Sequence, residues 1–234
     1  MPSPQDAARL LLQLRRRQEM SHRHIEGDSI APQLALFRAW QSQRLATTHA
    51  DLLQNPRYRP ACLFFLEDIY APKDFSQRNH DIVRMHDFML RFLPARLIRT
   101  LTLAIELNTL TETLDEALLS VMVDQLGVKD SITQAHYAEG YRLCHNYDER
   151  KRQIDLIIEV GHGLDRLTRL PLVGWTLHMA RGPAHRGGWQ EMQGFLERGF
   201  TAFKHMHGAQ EFLSLVQRRE MDILDRIFAG ANEL

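Results

Sequence analysis

The sequence predicts an all-α protein, and three observations predict it. Apolar residues recur at spacings of three and four along most of the chain, as in Phe212, Leu213, Val216, Ile223, Leu224 and Ile227, which places them on one face of a helix. No run alternates apolar and polar residues with β-branched enrichment, as a half-buried strand would. Glycine, proline and capping residues fall where they leave helices joined by short connections, with no internal repeat and no low-complexity linker. These observations give one all-helical domain over residues 1–234. It is a bundle of about nine to ten helices whose sequential members pack antiparallel.

Each element has its own signals. Residues 4–24 read as an amphipathic helix with Ala8, Leu11 and Leu12 on one side, broken at Gly27-Asp28-Ser29. Pro32 suits the first turn of the next helix, where its missing N–H costs little. Leu34, Phe37, Leu45 and Leu52 carry that helix to about residue 53, and Asn55-Pro56 ends it. A short buried helix follows, with Cys62, Leu63, Leu66, Ile69 and Tyr70 at helical spacing and Phe64 and Phe65 on a second side. Pro72 stops it, and Asp74 with Gln77 forms a capping box for a helix over about 75–92.

Pro94 opens a long central helix, about 94–126, whose apolar residues fall on two stripes and so predict packing on both sides. Gly127 suits a left-handed C-terminal position. Ser131 with Gln134 caps a helix to about His145, and Asp148 caps one over about 149–168. Pro171 precedes a short helix, Leu172–Ala180, and then a glycine- and proline-containing loop, Arg181–Gly188. Helices over about 189–206 and 209–229 close the chain. Gly194 and Gly199 lie inside a helix, where each costs about 1 kcal/mol against alanine. They therefore predict the close approach of another helix or a ligand.

Composition excludes several classes. Twenty-nine basic and 29 acidic residues give zero net charge, which argues against nucleic acid as a partner. Cys62 and Cys144 both sit in apolar-patterned segments and read as reduced thiols of a cytoplasmic protein. The longest unbroken hydrophobic run is Ala61–Leu66, so no membrane span, no secretory leader and no membrane partner is expected.

Two regions carry candidate ligand-binding residues. Asp68 shares a face with Phe64 and Phe65, and a buried carboxylate needs a partner; Lys73 and Arg78 are nearest in sequence. Asp68, Tyr70, Lys73 and Arg78 thus form either a recognition corner or an ion-paired corner that fixes an interhelix angle. The 181–188 loop brings Arg181, His185 and Arg186 to the start of a helix, where free N–H groups and the helix dipole favour an anion. Its plainer reading is a solvent-exposed connection. If the two regions meet, Asp68, Tyr70, Arg78, Arg181 and His185 would share one pocket.

The stretch Phe64-Phe65-Leu66-x-Asp68-x-Tyr70-x-Pro72-Lys73-Asp74-Phe75-Ser76-x-Arg78 resembles the signature of an uncharacterised all-helical family of bacterial proteins, a domain of unknown function. Gly199-Phe200-x-Ala202-Phe203-x-x-Met206-x-Gly208-Ala209 resembles its second signature. The resemblance implies an all-helical fold over most of the chain and a bacterial origin. It implies no chemistry.

Metal and cofactor sites are not predicted. Glu19–His22 and Glu159–His162 match the spacing of helical di-iron ligands. However, Glu159 and His162 share a polar face with Arg152, Asp155 and Arg166, whereas a bundle site must point inward. His136, His178 and His205 lie near apolar residues and are the haem-ligand candidates. Nucleophile-elbow, Cys-x-x-Cys and His-Glu-x-x-His motifs are absent. Glu220 shares a face with Val216, Ile223 and Ile227, which predicts a buried carboxylate paired with an arginine. The preferred function is a helical binding protein that recognises a protein partner or a small anionic ligand at the 181–188 loop. The alternative is an enzyme with a cofactor in the bundle, haem-oxygenase-like or non-haem iron. A homodimer built on an exposed apolar face is the third reading.

Overall fold

The computed structural model describes residues 9, 10, 12, 13, 31–69 and 95–233. Their regular structure is entirely helical, in nine α-helices among the described residues. These are α1 (Ala31–Thr48), α2 (Ala50–Gln54), α3 (Arg59–Phe64), α4 (Ala95–Asp124), α5 (Gln134–Cys144), α6 (Tyr147–Thr168), α7 (Pro171–Gly187), α8 (Gln190–His205) and α9 (Gln210–Phe228). Helix α3 continues into a single π-helical turn, Phe65–Ile69. No described helix is long and apolar enough to cross a membrane.

Helices α4 and α6 form the axis, and the other helices pack around them. Three apolar clusters hold the bundle together. Leu97, Ile98 and Ile105 of α4 meet Leu167 of α6, Leu177 of α7 and Met192 of α8. Leu118 and Met122, one turn apart, meet Phe37 of α1, Tyr137 of α5, Ile154 of α6 and Leu224 of α9. Ile158 of α6 meets Leu52, Cys62, Phe203 and Phe212. Because α6 feeds all three clusters, it must be apolar on most sides, and its two interior glycines follow from that. A Cβ on Gly163 would lie 2.6 Å from Thr100 Oγ1 and 3.2 Å from its Cβ on α4. Thr100 is held by its own hydroxyl bond to Arg96 O at 3.1 Å, so it cannot turn aside freely. Gly163→Ala is therefore expected to destabilise by about 1–3 kcal/mol, although alanine is the better helix former by about 1 kcal/mol. Urea unfolding checks this, and a stabilised variant would show that α4 and α6 can separate at little cost.

The chain departs from its local signals in three places. Thr133, two residues past Ser131, is the N-cap of α5 and accepts from His136 N at 3.1 Å. Asn146, not Asp148, holds the N-cap position of α6, and Asp148 lies in its first turn. The third departure bears on function. Residues 181–187 are not a loop, because α7 runs through Pro183 and ends only where Gly188 turns left-handed, at φ 69°. Proline in a helix interior costs about 3 kcal/mol. Leu177, Ala180 and Ala184 are buried along one face across that proline, and burying this face outweighs the local cost.

Candidate functional site

The Asp68 corner meets α8, the helix that carries the start of the second signature stretch, and not the 181–188 residues. Asp68 sits in the π turn after α3, and Arg198 of α8 grips it. Arg198 Nε donates to both carboxylate oxygens at 2.9 and 3.1 Å, and Nη2 donates to Oδ1 at 2.7 Å. The carboxylate holds the Arg198 guanidinium above its ordinary pKa. The ring of Phe64 lies 5.2 Å from that of Phe195 and rests on Gly199, so Gly199 does admit a neighbouring helix. Gly194 faces only the side chain of Arg198. Tyr70, Lys73 and Arg78 lie outside the described residues.

The 181–188 residues do not form the anion site drawn from the sequence. Arg181, His185 and Arg186 stand in the C-terminal half of a helix, where the dipole repels anions. The fork of Arg181 is taken by Glu197, with both bonds at 2.7 Å. His185 and Arg186 are exposed. The histidines read from the sequence are also peripheral: His178 and His205 are exposed, and His136 is half-buried. Glu159 is exposed and paired with Arg152 at 2.8 Å. Among the described residues no three His, Cys, Asp or Glu side chains are placed to hold a metal ion.

The bundle instead concentrates its polar chemistry inside. A cavity of about 110 Å³ lies between α1, α5, α6 and α9. Its polar end is built by two arginines. Arg44 Nη1 bonds both oxygens of Glu220 at 2.8 and 2.7 Å, and His49 Nε2 bonds Glu220 Oε1 at 2.9 Å. This is the buried carboxylate–arginine pair that the apolar surroundings of Glu220 predict. Arg150 is only 3% exposed, which is rare for an arginine and demands partners. It donates to Leu114 O at 2.9 Å, Gln153 Oε1 at 3.1 Å and Asp115 Oδ1 at 3.5 Å. Its guanidinium stacks 4.4 Å above the Tyr141 ring. Tyr141 shares a hydroxyl bond of 2.7 Å with Tyr137, whose ring lies 4.5 Å from that of Trp40. Gln41 completes the polar end with a 3.2 Å bond to Asp115.

Two donors in this wall have no partner. The Nε–H groups of Arg44 and Arg150 are both buried and unbonded. A buried donor left unpaired costs about 1–3 kcal/mol, so two of them on one cavity need a reason. The rest of the wall is apolar, including Leu45, Leu52, Phe65, Ile157 and Val216. Gln41, Phe65 and Ile157 also line a second cavity of about 180 Å³ beside α4.

Burial and pairing fix the charges of this wall. Burial pushes the Cys62 thiol up to about 11 and the Tyr141 phenol well above its ordinary value. Burial would raise Glu220, but the Arg44 charge and the bonds from His49 and Arg44 outweigh it and bring the carboxyl down to about 2. The site therefore presents two fixed guanidinium groups, one ionised glutamate, the neutral Tyr141 phenol and the neutral Cys62 thiol at neutral pH.

Few signals in the sequence pointed here. Arg44 follows Phe37 by seven residues and Gln41 by three, and Arg150 precedes Ile154 by four. Both thus lie in register with apolar stripes, as Glu220 does.

Fold and site together define the class, a helical domain with an apolar cavity headed by the buried Arg150 and the largely buried Arg44. The chain belongs to the family described as a domain of unknown function (DUF8198), which matches residues 20–234. No curated protein and no solved structure matches the chain.

Proposed function

We propose that the protein binds a small amphiphilic carboxylate inside the bundle. The carboxylate lies between Arg44 and Arg150, and the apolar body lies against Leu45, Phe65, Ile157 and Val216. The observation that carries this reading is that the two arginines lining one cavity each keep a buried, unbonded Nε–H. An acceptor that serves both converts two unpaired donors into charge-assisted bonds. The charged groups that line the cavity are Arg44, Arg150 and Glu220, with Asp115 3.5 Å behind Arg150. The size supports a small ligand, since an apolar protein cavity of about 150 Å³ accepts benzene. Cys62 and Cys144 are both free thiols, in keeping with a cytoplasmic address.

Calorimetric titration with hexanoate, hexanol and hexylamine tests the reading. Hexanoate is expected to bind and to change the fluorescence of Trp40, through its stacking partner Tyr137. Arg150→Met, checked for native circular dichroism, should weaken hexanoate by about tenfold or more, the loss of one charged hydrogen bond. Equal binding of hexanol would remove the anion from the proposal. Absence of heat and of any fluorescence change with all three would remove the ligand.

A further inference from the structure

We infer that α7 docks on anionic membrane surfaces, with Leu172, Trp175 and Met179 entering the headgroup boundary. This rests on an observation separate from the cavity. Helix α7 is apolar on two opposite faces. Val173, Leu177, Ala180 and Ala184 are buried, while Leu172, Trp175 and Met179 are 73%, 62% and 55% exposed. The spacing of three and then four places these three on one solvent-facing stripe. Among the described residues, no contact accounts for so much exposed apolar surface on one helix. Large apolar residues scattered singly on a surface are ordinary, whereas a contiguous group marks a contact site.

Charge selects the occupant. From residue 166 to residue 190 the chain has no Asp or Glu, yet it holds four arginines and two histidines. In a chain of zero net charge this is a strong local asymmetry. Glu197 and Asp165 reach in from outside this stretch or its edge to pair with Arg181 and Arg169. Arg186 remains exposed, seven residues past Met179 and on the same stripe, and His178 and His185 are exposed beside it. A helix with exposed Leu, Trp and Met, no acidic residue of its own and an exposed arginine on the same stripe has the composition of one lying in a membrane interface. Indole rings favour the headgroup level, and cations near the surface are drawn to anionic lipid.

A second copy fits less well. The three side chains expose on the order of 400 Å², about half of what one partner of a stable protein interface contributes. A twofold contact would also lay this face on itself, with no carboxylate to meet Arg186. Shallow insertion of a few side chains assisted by charge needs neither large area nor self-complementarity.

Co-sedimentation of the full chain with phosphatidylcholine vesicles, with and without phosphatidylserine, tests the inference. The protein should pellet with the phosphatidylserine vesicles and be released by high salt. Trp175 is the only exposed tryptophan of the three, and its emission should shift to the blue on binding. Trp175→Ser with Met179→Ser lies on the surface and should preserve the fold, checked by circular dichroism, while reducing binding by tenfold or more. Arg186→Gln should weaken it about fivefold, the share of one surface cation. Equal pelleting with both vesicle types would overturn the charge argument. Failure to pellet with either, or pelleting unchanged in the double variant, would overturn the docking face. A concentration-dependent dimer abolished by the same double variant would assign the face to a second copy instead.

Discussion

Arg150→Ala is expected to cost about 3–5 kcal/mol of folding free energy, the loss seen when one partner is removed from a buried charged network. Three separate effects contribute. The substitution leaves Asp115 without its close guanidinium, and burial already pushes that carboxyl above its ordinary value. It strands the Gln153 amide oxygen, which Arg150 serves at 3.1 Å, and removes the second bond to the Leu114 carbonyl, at 2.9 Å. It also opens a hole beneath the Tyr141 ring, on which the guanidinium lies. Arg150→Lys should recover little. A lysine ammonium is a point charge that cannot serve a carbonyl, an amide and a carboxylate in one plane while stacking on a ring. Pairing Arg150→Met with Asp115→Leu should recover much of the loss, because both charges then leave the interior together. Urea unfolding of the set reads these differences. By contrast, Arg181→Ala breaks an ion pair whose arginine is 59% exposed, and about 0–1 kcal/mol is expected there. A loss below about 1 kcal/mol in Arg150→Ala would show that water enters the cavity and solvates the network, and the enclosed-ligand proposal would lose its basis.

The fold was legible where hydrophobic periodicity was long and uninterrupted. From Leu97 to Met122 it sustains the axis helix α4, and the stripe from Phe212 to Ile227 defines α9. Local punctuation was misleading wherever tertiary burial opposed it. Pro183 and the surrounding glycines read as a loop, but Ala180 and Ala184 pack inward and keep the segment helical. The partner of Asp68 was sought among nearby cations, and it came from Arg198, 130 residues away. A single sequence carries no signal for that pairing except the composition of the second signature region. The cavity was half legible. Glu220 was marked because a carboxylate within an apolar stripe must be paired. The same rule applied to Arg44 and Arg150 would have completed the site. Arginine hides from this rule because its long apolar stem commonly runs along a core while the head reaches water. Pattern alone cannot separate that arrangement from true burial.

Glu220→Gln is expected to flatten the acid limb of the stability curve. The carboxyl of Glu220 lies at about 2, down from 4.5, because burial, which would raise it, is outweighed by Arg44 and by the bonds from His49 and Arg44. A depressed carboxylate contributes stability that is fully present above its unfolded pKa and is lost as pH falls through the folded one. The window therefore runs from about 4.5 down to about 2, and a depression of that size is on the order of 3 kcal/mol. Asp115 acts in the opposite sense. Burial raises its pKa, so the folded state gains from its protonation as pH falls towards its unfolded value. Wild-type protein shows the two together, and the difference between wild type and Glu220→Gln isolates Glu220. That difference should be largest above pH 4.5 and should close towards pH 2. Asp51 is also held near 2 by Arg219, but it is largely exposed, so screening leaves it a minor part of the slope. Urea midpoints measured across the window decide the matter. Parallel curves, with a constant gap at every pH, would mean that Glu220 titrates normally in the folded state. The Arg44–Glu220 pair would then be solvated, and the fixed charge assigned to the cavity wall would fall with it.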